Sequence, residues 1–446
     1  MSIENASLDG LPDELVLEIL HYLHTIRSYE TQSTAFRNKE KEKTRQYENH
    51  VLQLALHDLC LTSRRLRRIA TPILYASFTG SATRYGMEPL RLFYERVSAS
   101  HASGCNYIEC LQYVEIRLSD YLGNSLHADM RLPDAVHMVT SYFYMLADVI
   151  KRAPNLQHLS VACLENDEVS LWKYITPGQN TRAGHGFDKL RTLCLQMHID
   201  GSVAYGDLSF DRVCSVVSTA PLLSDFRASG VITCGPAMQS SELGSFSMLK
   251  RLEITECVVE IELVAQVLSV CEELRHVICV WAFLDGGIER PSDLYSGLLR
   301  HSDTLKSLHL DLREVRFAND LDVSQCLGTL RPFKCLETLI ISENCLLGSP
   351  SPLFYSATAS PLPRISELLP PCLASFALLL IFNDHNEAWY SGLDDSIGMW
   401  GLVADCKSPG PNLEDISIQG DLVLPAAPDL TKAFSEIGVH FEVKPP

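Results

Sequence analysis

A six-residue phrase, apolar-x-x-apolar-x-apolar, recurs along most of this 446-residue chain, and such a recurrence leaves few ways to fold. Copies begin at Leu111, Leu156, Leu190, Leu223, Leu249, Leu274, Leu305, Leu336, Leu373 and Leu413. Helical patterns precede many of them, over Ala135–Arg152, Ser209–Thr219, Ile261–Cys271, Asp293–His301 and Asp322–Leu330. A strand-plus-helix unit cannot bury its apolar face alone, whereas stacked units build one continuous core. The expectation is an α/β chain with a stacked array over 111–446. Leu430–Ile437 as a helix and Val439–Val443 as a strand would form its terminal cap. A compact α/β domain around a parallel sheet is the alternative. Ser349–Pro352 and Ser360–Pro363 read as a loop by composition.

Residues 1–80 follow another pattern. They hold ten basic and ten acidic side chains, so the whole net charge of −18 falls in 81–446. Pro12 suits a first helical position, and Asp13 and Glu14 sit where the helix dipole favours negative charge. The helix that follows is apolar nearly all round, with Glu14, Glu18 and His21 as its narrow polar stripe. Such a helix must be covered on more than one side. A small N-terminal unit has little chain of its own to cover it, which points to a partner surface. From His24 to His50 the chain is polar and mixed in charge, and reads as a solvated helix or mobile insertion. A second apolar helix carries Leu52, Leu56, Leu59 and Cys60, followed by Arg64, Arg65, Arg67 and Arg68 as a solvated face.

The stretch from Leu11 to Leu23 resembles the opening helix of an F-box. Leu54-Ala55-Leu56 through Arg64, Leu66, Ile69-Ala70, Pro72 and Leu74-Tyr75 resembles its closing half, in the form common among fungal F-box proteins. The insert at 24–50 departs from that family pattern. The resemblance implies binding to a Skp adaptor, and through it to a cullin-based ubiquitin ligase, with Leu11, Pro12, Leu15, Ile19, Leu20 and Leu23 facing the adaptor. Leu66, Ile69 and Leu74 would be partly interface and partly core. The array is leucine-rich-repeat-like but irregular. Its spacings of 25 to 45 residues mostly exceed those of regular leucine-rich repeats, and only Cys257 and Asn344 supply the ninth-position residue that bonds the following turn. The expected organisation is an F-box over 1–80, a connector over 81–110 and the leucine-rich-repeat-like solenoid over 111–446.

Chemistry is sparse. No phosphate loop, nucleophile elbow or zincin motif occurs, and the 15 cysteines form no Cys-x-x-Cys, so no catalytic residue, metal or cofactor is assigned. His385 with Asp384 and Glu387 is a weak cluster lacking a second ligand set. The cysteines read as small buried apolar residues of a reduced intracellular protein, cytoplasmic or nuclear. The acidic balance argues against nucleic acid and anionic membrane as partners. Asn5-Ala6-Ser7 is a chance glycosylation match.

Strand alternation places positions three, five and seven of each phrase away from the core. Tyr113, Arg117, Arg227, Arg251, His309 and Asp311 are therefore the candidates for holding a protein target. The function expected is a non-catalytic substrate receptor of a Skp-cullin-F-box ligase. A repeat scaffold without ligase association is the alternative, and a hydrolase with its site on the inner strands is a distant third.

Overall fold

In the computed structural model, each copy of the phrase is a β-strand opening at its third residue. The structure describes residues 10–28, 39–83, 85–99, 106–117, 120–122, 135–163, 171, 187–197, 210, 214, 217–218, 220–232, 242–282, 284–287, 289–318, 321–348, 364–381, 398–407, 412–420 and 427–444. The helices α1 (Asp13–His21), α2 (Lys39–Thr62) and α3 (Arg64–Leu74) come first, then β1 (Ser77–Ser81), α4 (Met87–Ala99), β2 (Tyr113–Arg117) and α5 (Ala135–Arg152). Next come β3 (His158–Cys163), β4 (Thr192–Met197), β5 (Asp225–Ser229), β6 (Arg251–Cys257), α6 (Ile261–Val270) and β7 (His276–Trp281). The later elements are β8 (Leu284–Gly287), α7 (Tyr295–Leu299), β9 (Ser307–Asp311), β10 (Val315–Phe317), β11 (Thr338–Ser342), α8 (Glu343–Leu346), α9 (Ile365–Leu368) and β12 (Ser375–Leu379). The last are α10 (Met399–Cys406), β13 (Asp415–Gln419), α11 (Ala427–Ser435) and β14 (His440–Lys444).

The fold is mixed α/β. Twelve strands form one parallel sheet in sequence order, and β8 pairs with β10 apart from it. The chain divides into two compact units, Met1–Leu223 with Arg227–Ser229, and Ser224–Phe226 with Gly230–Pro446, so the division falls inside β5.

In the first unit, β1 pairs with β2, β2 with β3 and β3 with β4. β1 crosses the boundary expected at residue 80. A first strand thus precedes the first recognisable phrase, and the stretch read as a connector carries α4. In the second unit the ladder runs β6, β7, β9, β11, β12, β13, β14. The first leucine of each phrase is buried, as at Leu274, Leu305, Leu336 and Leu373 (each 0% exposed), and so are its fourth and sixth residues, as at Leu308 and Leu310. Positions three and five stay half-buried on the other side in β7, β9, β11 and β12. β14 ends the ladder with His440, Glu442 and Lys444 exposed.

One hydrogen-bond arrangement recurs between successive repeats. The carbonyl of the residue before the strand accepts from two consecutive N–H groups of the next repeat. Lys250 receives Arg275 and His276 (2.8 and 3.1 Å), and Arg275 receives Lys306 and Ser307 at the same distances. Glu337 likewise receives Ala374 and Ser375.

The helices show where local pattern yields to tertiary context. The pattern over Ala135–Arg152 is a helix with those bounds, and α6 ends one residue short of Cys271. Asp293–His301 becomes a 3₁₀ turn, Pro291–Leu294, followed by α7. Asp322–Leu330 forms only a 3₁₀ turn, Val323–Gln325, because the N–H groups of Leu327 and Leu330 donate instead to the carbonyls of Cys345 and Leu368 (both 2.8 Å). Most of Ser209–Thr219, the Ser349–Pro363 loop, Asn5 and the His385 cluster lie outside the described residues.

Both ninth-position residues act on turns. Asn344 Nδ2 donates to the Leu312 carbonyl (2.9 Å), and Cys257 Sγ accepts from the Val231 N–H (3.2 Å). Elsewhere the turn chemistry differs: the Trp281 indole N–H donates to the Val259 carbonyl (2.7 Å). Cys257, Cys271, Cys279, Cys326 and Cys345 are buried, and burial pushes the thiols of Cys257, Cys271 and Cys326 up to about 12. They fill the interior as small hydrophobes. Among the described residues no helix is long and apolar enough to cross a membrane.

Gly348 and Gly328 both adopt positive φ, +92° and +85°. A Cβ on Gly348 would lie 2.6 Å from the Leu321 carbonyl oxygen, whereas one on Gly328 meets nothing within 4 Å. Gly348→Ala should therefore cost clearly more than the roughly 1 kcal/mol of backbone strain expected for Gly328→Ala. Chemical denaturation of the two variants measures the difference.

Candidate functional site

Three helices build the N-terminal helical core. Val16 and Leu20 of α1 point into a core with Leu56 of α2 and Leu66, Ile69, Ala70 and Ile73 of α3. Asp13 fixes the start of α1 to α3 by accepting from Arg65 Nε (2.8 Å) and Arg68 Nη2 (2.5 Å). Two of the four arginines thus serve an internal clasp. Ser63 caps α3, its hydroxyl accepting from the Leu66 N–H (3.1 Å).

With Val16 and Leu20 turned inward, α1 presents Leu15 (51% exposed), Leu17 and Ile19 to solvent, and Tyr22 (85%) stands exposed at its C-cap. Leu11 and Leu23 are partly buried against the helical core, and Pro12 is exposed. Of the six residues expected to face an adaptor, Leu20 (1% exposed) is an interior residue and supplies no contact surface. Leu66 and Ile69 are likewise core.

The polar insert has structure of its own. Its second part is the first half of α2, which lies against β1 and β2. Arg45 Nη2 donates to Glu115 Oε1 (2.5 Å) and Nη1 to Oε2 (3.1 Å), while its Nη1 also reaches the Ile26 carbonyl (2.8 Å). Glu42 binds the same guanidinium at 2.7 Å. Arg117 Nη1 donates to Glu115 (2.9 Å), and the Tyr113 hydroxyl donates to it from the same strand. Asn49 clasps Ile26 in both directions, accepting from its N–H (2.7 Å) and donating to its carbonyl (3.0 Å). Gln53 donates to Thr79 (3.3 Å), the residue paired in register with Glu115. The Ser28 N–H donates to the Tyr113 hydroxyl, and the Arg27 guanidinium lies 5.5 Å from that ring's centroid. The described part of the insert, Lys39–His50, is thus helical and mostly exposed, as one of the two expected readings has it, while Arg45 and Asn49 clasp it to β2 and to Ile26.

Burial alone would raise the Glu115 pKa. The charges of Arg117 and Arg45, with hydrogen bonds from Arg45 and Tyr113, overcome it and lower the carboxyl from its usual 4.5 to about 2. Burial pushes Tyr113 the other way, helped by the Glu115 charge, so its hydroxyl stays protonated and donates.

This network takes up two of the candidate target contacts, Tyr113 and Arg117. Tyr113 is 1% exposed, and Arg117 is committed to Glu115. Arg227 (8% exposed) and Asp311 (7%) are buried, Asp311 accepting from Arg313 Nη2 at 2.8 Å. Tyr113, Arg227 and Asp311 are thus withdrawn from solvent, while Arg117 is half-buried and held by Glu115. Arg251, paired with Glu253 at 2.8 Å, and His309 remain half-buried on the exposed side of the second unit. Around them Ile278, His309, Ile340 and Ala377 form one register row, beside His276, Ser307, Thr338 and Ser375. Sequence alternation supplies that row but leaves the clasp hidden, since Arg45 and Glu115 stand far apart in the chain. Among the described residues no cluster of His, Cys, Asp and Glu could hold a metal ion.

No protein-family model matches the chain, and no curated protein matches it.

Removing the Glu115 charge tests the clasp. Above the unfolded-state value near 4.5, the depressed Glu115 pKa contributes stability, which is lost as pH falls through 4.5 towards 2. Glu115→Gln should be less stable than wild type at pH 7, with the gap closing below pH 4. Arg45→Met should lose roughly 3 kcal/mol at pH 7, as expected when one partner of a buried pair is removed. Denaturant titrations across pH measure both.

Proposed function

We propose that this chain is the substrate-receptor subunit of a Skp-cullin-F-box ubiquitin ligase. Residues 11–75 act as the F-box, and the sheet-bearing remainder acts as an irregular leucine-rich-repeat-like solenoid that holds a protein target. The observation that carries the reading is the split character of α1. One side, Val16 and Leu20, is locked into the helical core, while Leu15, Leu17, Ile19 and Tyr22 stand in solvent. Leu15 and Ile19, with Tyr22 at the helix's C-cap, share one exposed face at i, i+4, i+7 spacing, whereas Leu17 lies on the other side. Large apolar side chains gathered so are costly to hydrate, and mark a surface that another protein covers. The resemblance of Leu11–Leu23 and Leu54–Tyr75 to an F-box identifies that protein as a Skp adaptor.

The chain then performs no covalent step. It holds the target close to the ubiquitin carried by the rest of the ligase, replacing a bimolecular encounter by a positioned one. The target region is the half-buried row of the second unit around Ile278, His309, Ile340 and Ala377, since the corresponding side of β1 and β2 is occupied by the chain's own clasp.

The test is a binding titration of purified protein against a Skp adaptor, beside a Leu15→Ala, Ile19→Ala double variant. Both positions lie outside the internal core, so the variant should keep its unfolding midpoint while losing at least about 100-fold in affinity, as hot-spot truncations of this kind do. Absence of binding by folded wild type would overturn the reading and leave a repeat scaffold without ligase association.

A further inference from the structure

Most of the described cysteines are buried in the interior, but Cys335 and Cys372 are half-buried and stand at one structural position in consecutive repeats. Each immediately precedes the first leucine of its phrase, Leu336 or Leu373. Three residues further on, Thr338 and Ser375 are register partners of the β11–β12 ladder. The cysteines precede that ladder, but the two repeats are still joined within two residues of them, where the Glu337 carbonyl receives the N–H groups of Ala374 and Ser375. Carried back to the cysteines, the usual strand spacing of about 4.8 Å would fall inside the Cα separation that a disulfide spans. Cys372 Sγ also lies 3.3 Å from the carbonyl oxygen of Leu336, the residue adjoining Cys335.

We propose that Cys335 and Cys372 are a thiol-exchange site whose substrate is a low-molecular-weight disulfide of the glutathione type, and that exchange closes a bond between the two repeats. In the first step the Cys335 thiolate attacks one sulfur of the small disulfide. A mixed disulfide forms at Cys335, and one equivalent of small thiol leaves with the proton. In the second step the Cys372 thiolate attacks the Cys335 sulfur, forming the Cys335–Cys372 bond and releasing a second equivalent. Two protein thiols are oxidised and one small disulfide is reduced, so the exchange needs no other oxidant.

Cys335 is the entry point because its contact to the Asp303 carbonyl (3.2 Å) is at the surface, whereas Cys372 is held against the carbonyls of Phe333 and Leu336. Burial raises the Cys372 thiol, and the neighbouring Cys335 charge adds to that rise. Cys372 is accordingly the resolving partner. Other adjacent cysteines, Cys257 with Cys279 and Cys326 with Cys345, are buried and closed to a solution disulfide. Structural need does not require a thiol at this position. Thr304, which stands there in the preceding repeat, donates from its hydroxyl to the Leu274 carbonyl (2.8 Å), the bond that Cys372 makes to Leu336. Serine is therefore a conservative replacement.

The test is oxidation of the full chain with glutathione disulfide, followed by non-reducing peptide mass spectrometry of wild type, Cys335→Ser and Cys372→Ser. The expected result is a peptide pair linking Cys335 to Cys372 as the main product in wild type, ahead of thiolation at Cys60, Cys110 or Cys406. Cys372→Ser should accumulate the mixed disulfide at Cys335, and Cys335→Ser should leave Cys372 largely a free thiol. A wild-type reaction that stops at the mixed disulfide, or that leaves both cysteines unmodified, would overturn the proposal.

Discussion

The carbonyl that receives two N–H groups from the next repeat sets the register on which the rest of the sheet depends. At Lys250, Arg275 and Glu337 it fixes where the following chain enters the sheet, so the first leucine of every phrase arrives at the same depth. A slip of one residue would turn Leu308 and Leu310 outward and bury Ser307 and His309, exchanging the two faces of the strand. Buried leucines and shared carbonyls are thus two statements of one constraint. The leucines make a register favourable, and the hydrogen bonds make it unique. Intervals between repeats can vary widely because only the entry point has to be repeated.

At the N-terminal side a different force is at work. Glu115 is a buried carboxylate on a strand, in a place where a solvated residue is expected, and it stays charged because Arg45 and Arg117 approach it together. A buried charge costs several kcal/mol unless paired and hydrogen-bonded. Arg45, Arg117 and Tyr113 meet that condition between them. The polar insert is thereby tied to the first strands of its own unit. It consumes the surface that Tyr113 and Arg117 would otherwise offer, so target binding under the proposed function rests on the second unit.

What the sequence shows follows the range of the interactions involved. The strands at Leu111 through Leu413 are legible because a buried strand beside a core needs leucines at fixed offsets, a local signal. Ala135–Arg152 is legible for the same reason. Asp322–Leu330 misleads because the competing acceptors, Cys345 and Leu368, lie in later repeats. The Lys39–His50 stretch reads correctly as a largely solvated helix, yet the role of Arg45 is hidden because its counter-charge, Glu115, lies far along the chain. On α1 the sequence shows that too much is apolar, yet cannot say which side turns inward. Leu15, Val16, Leu17, Ile19 and Leu20 are chemically alike, and only Leu56, Leu66 and Ile69 select Val16 and Leu20.

The strand that closes the ladder has a consequence for how the molecule behaves in a crowded solution. A parallel sheet laid down in sequence order has an open edge wherever it stops, and an open edge is a template for a strand from another molecule. β14 carries His440, Glu442 and Lys444 in solvent, His440 beside Asp415 and Lys444 beside Glu442. Any strand adding there would have to strip water from these charges along its whole length. The exposed charges of β14 therefore make this edge of the described sheet a poor template for a strand from another molecule.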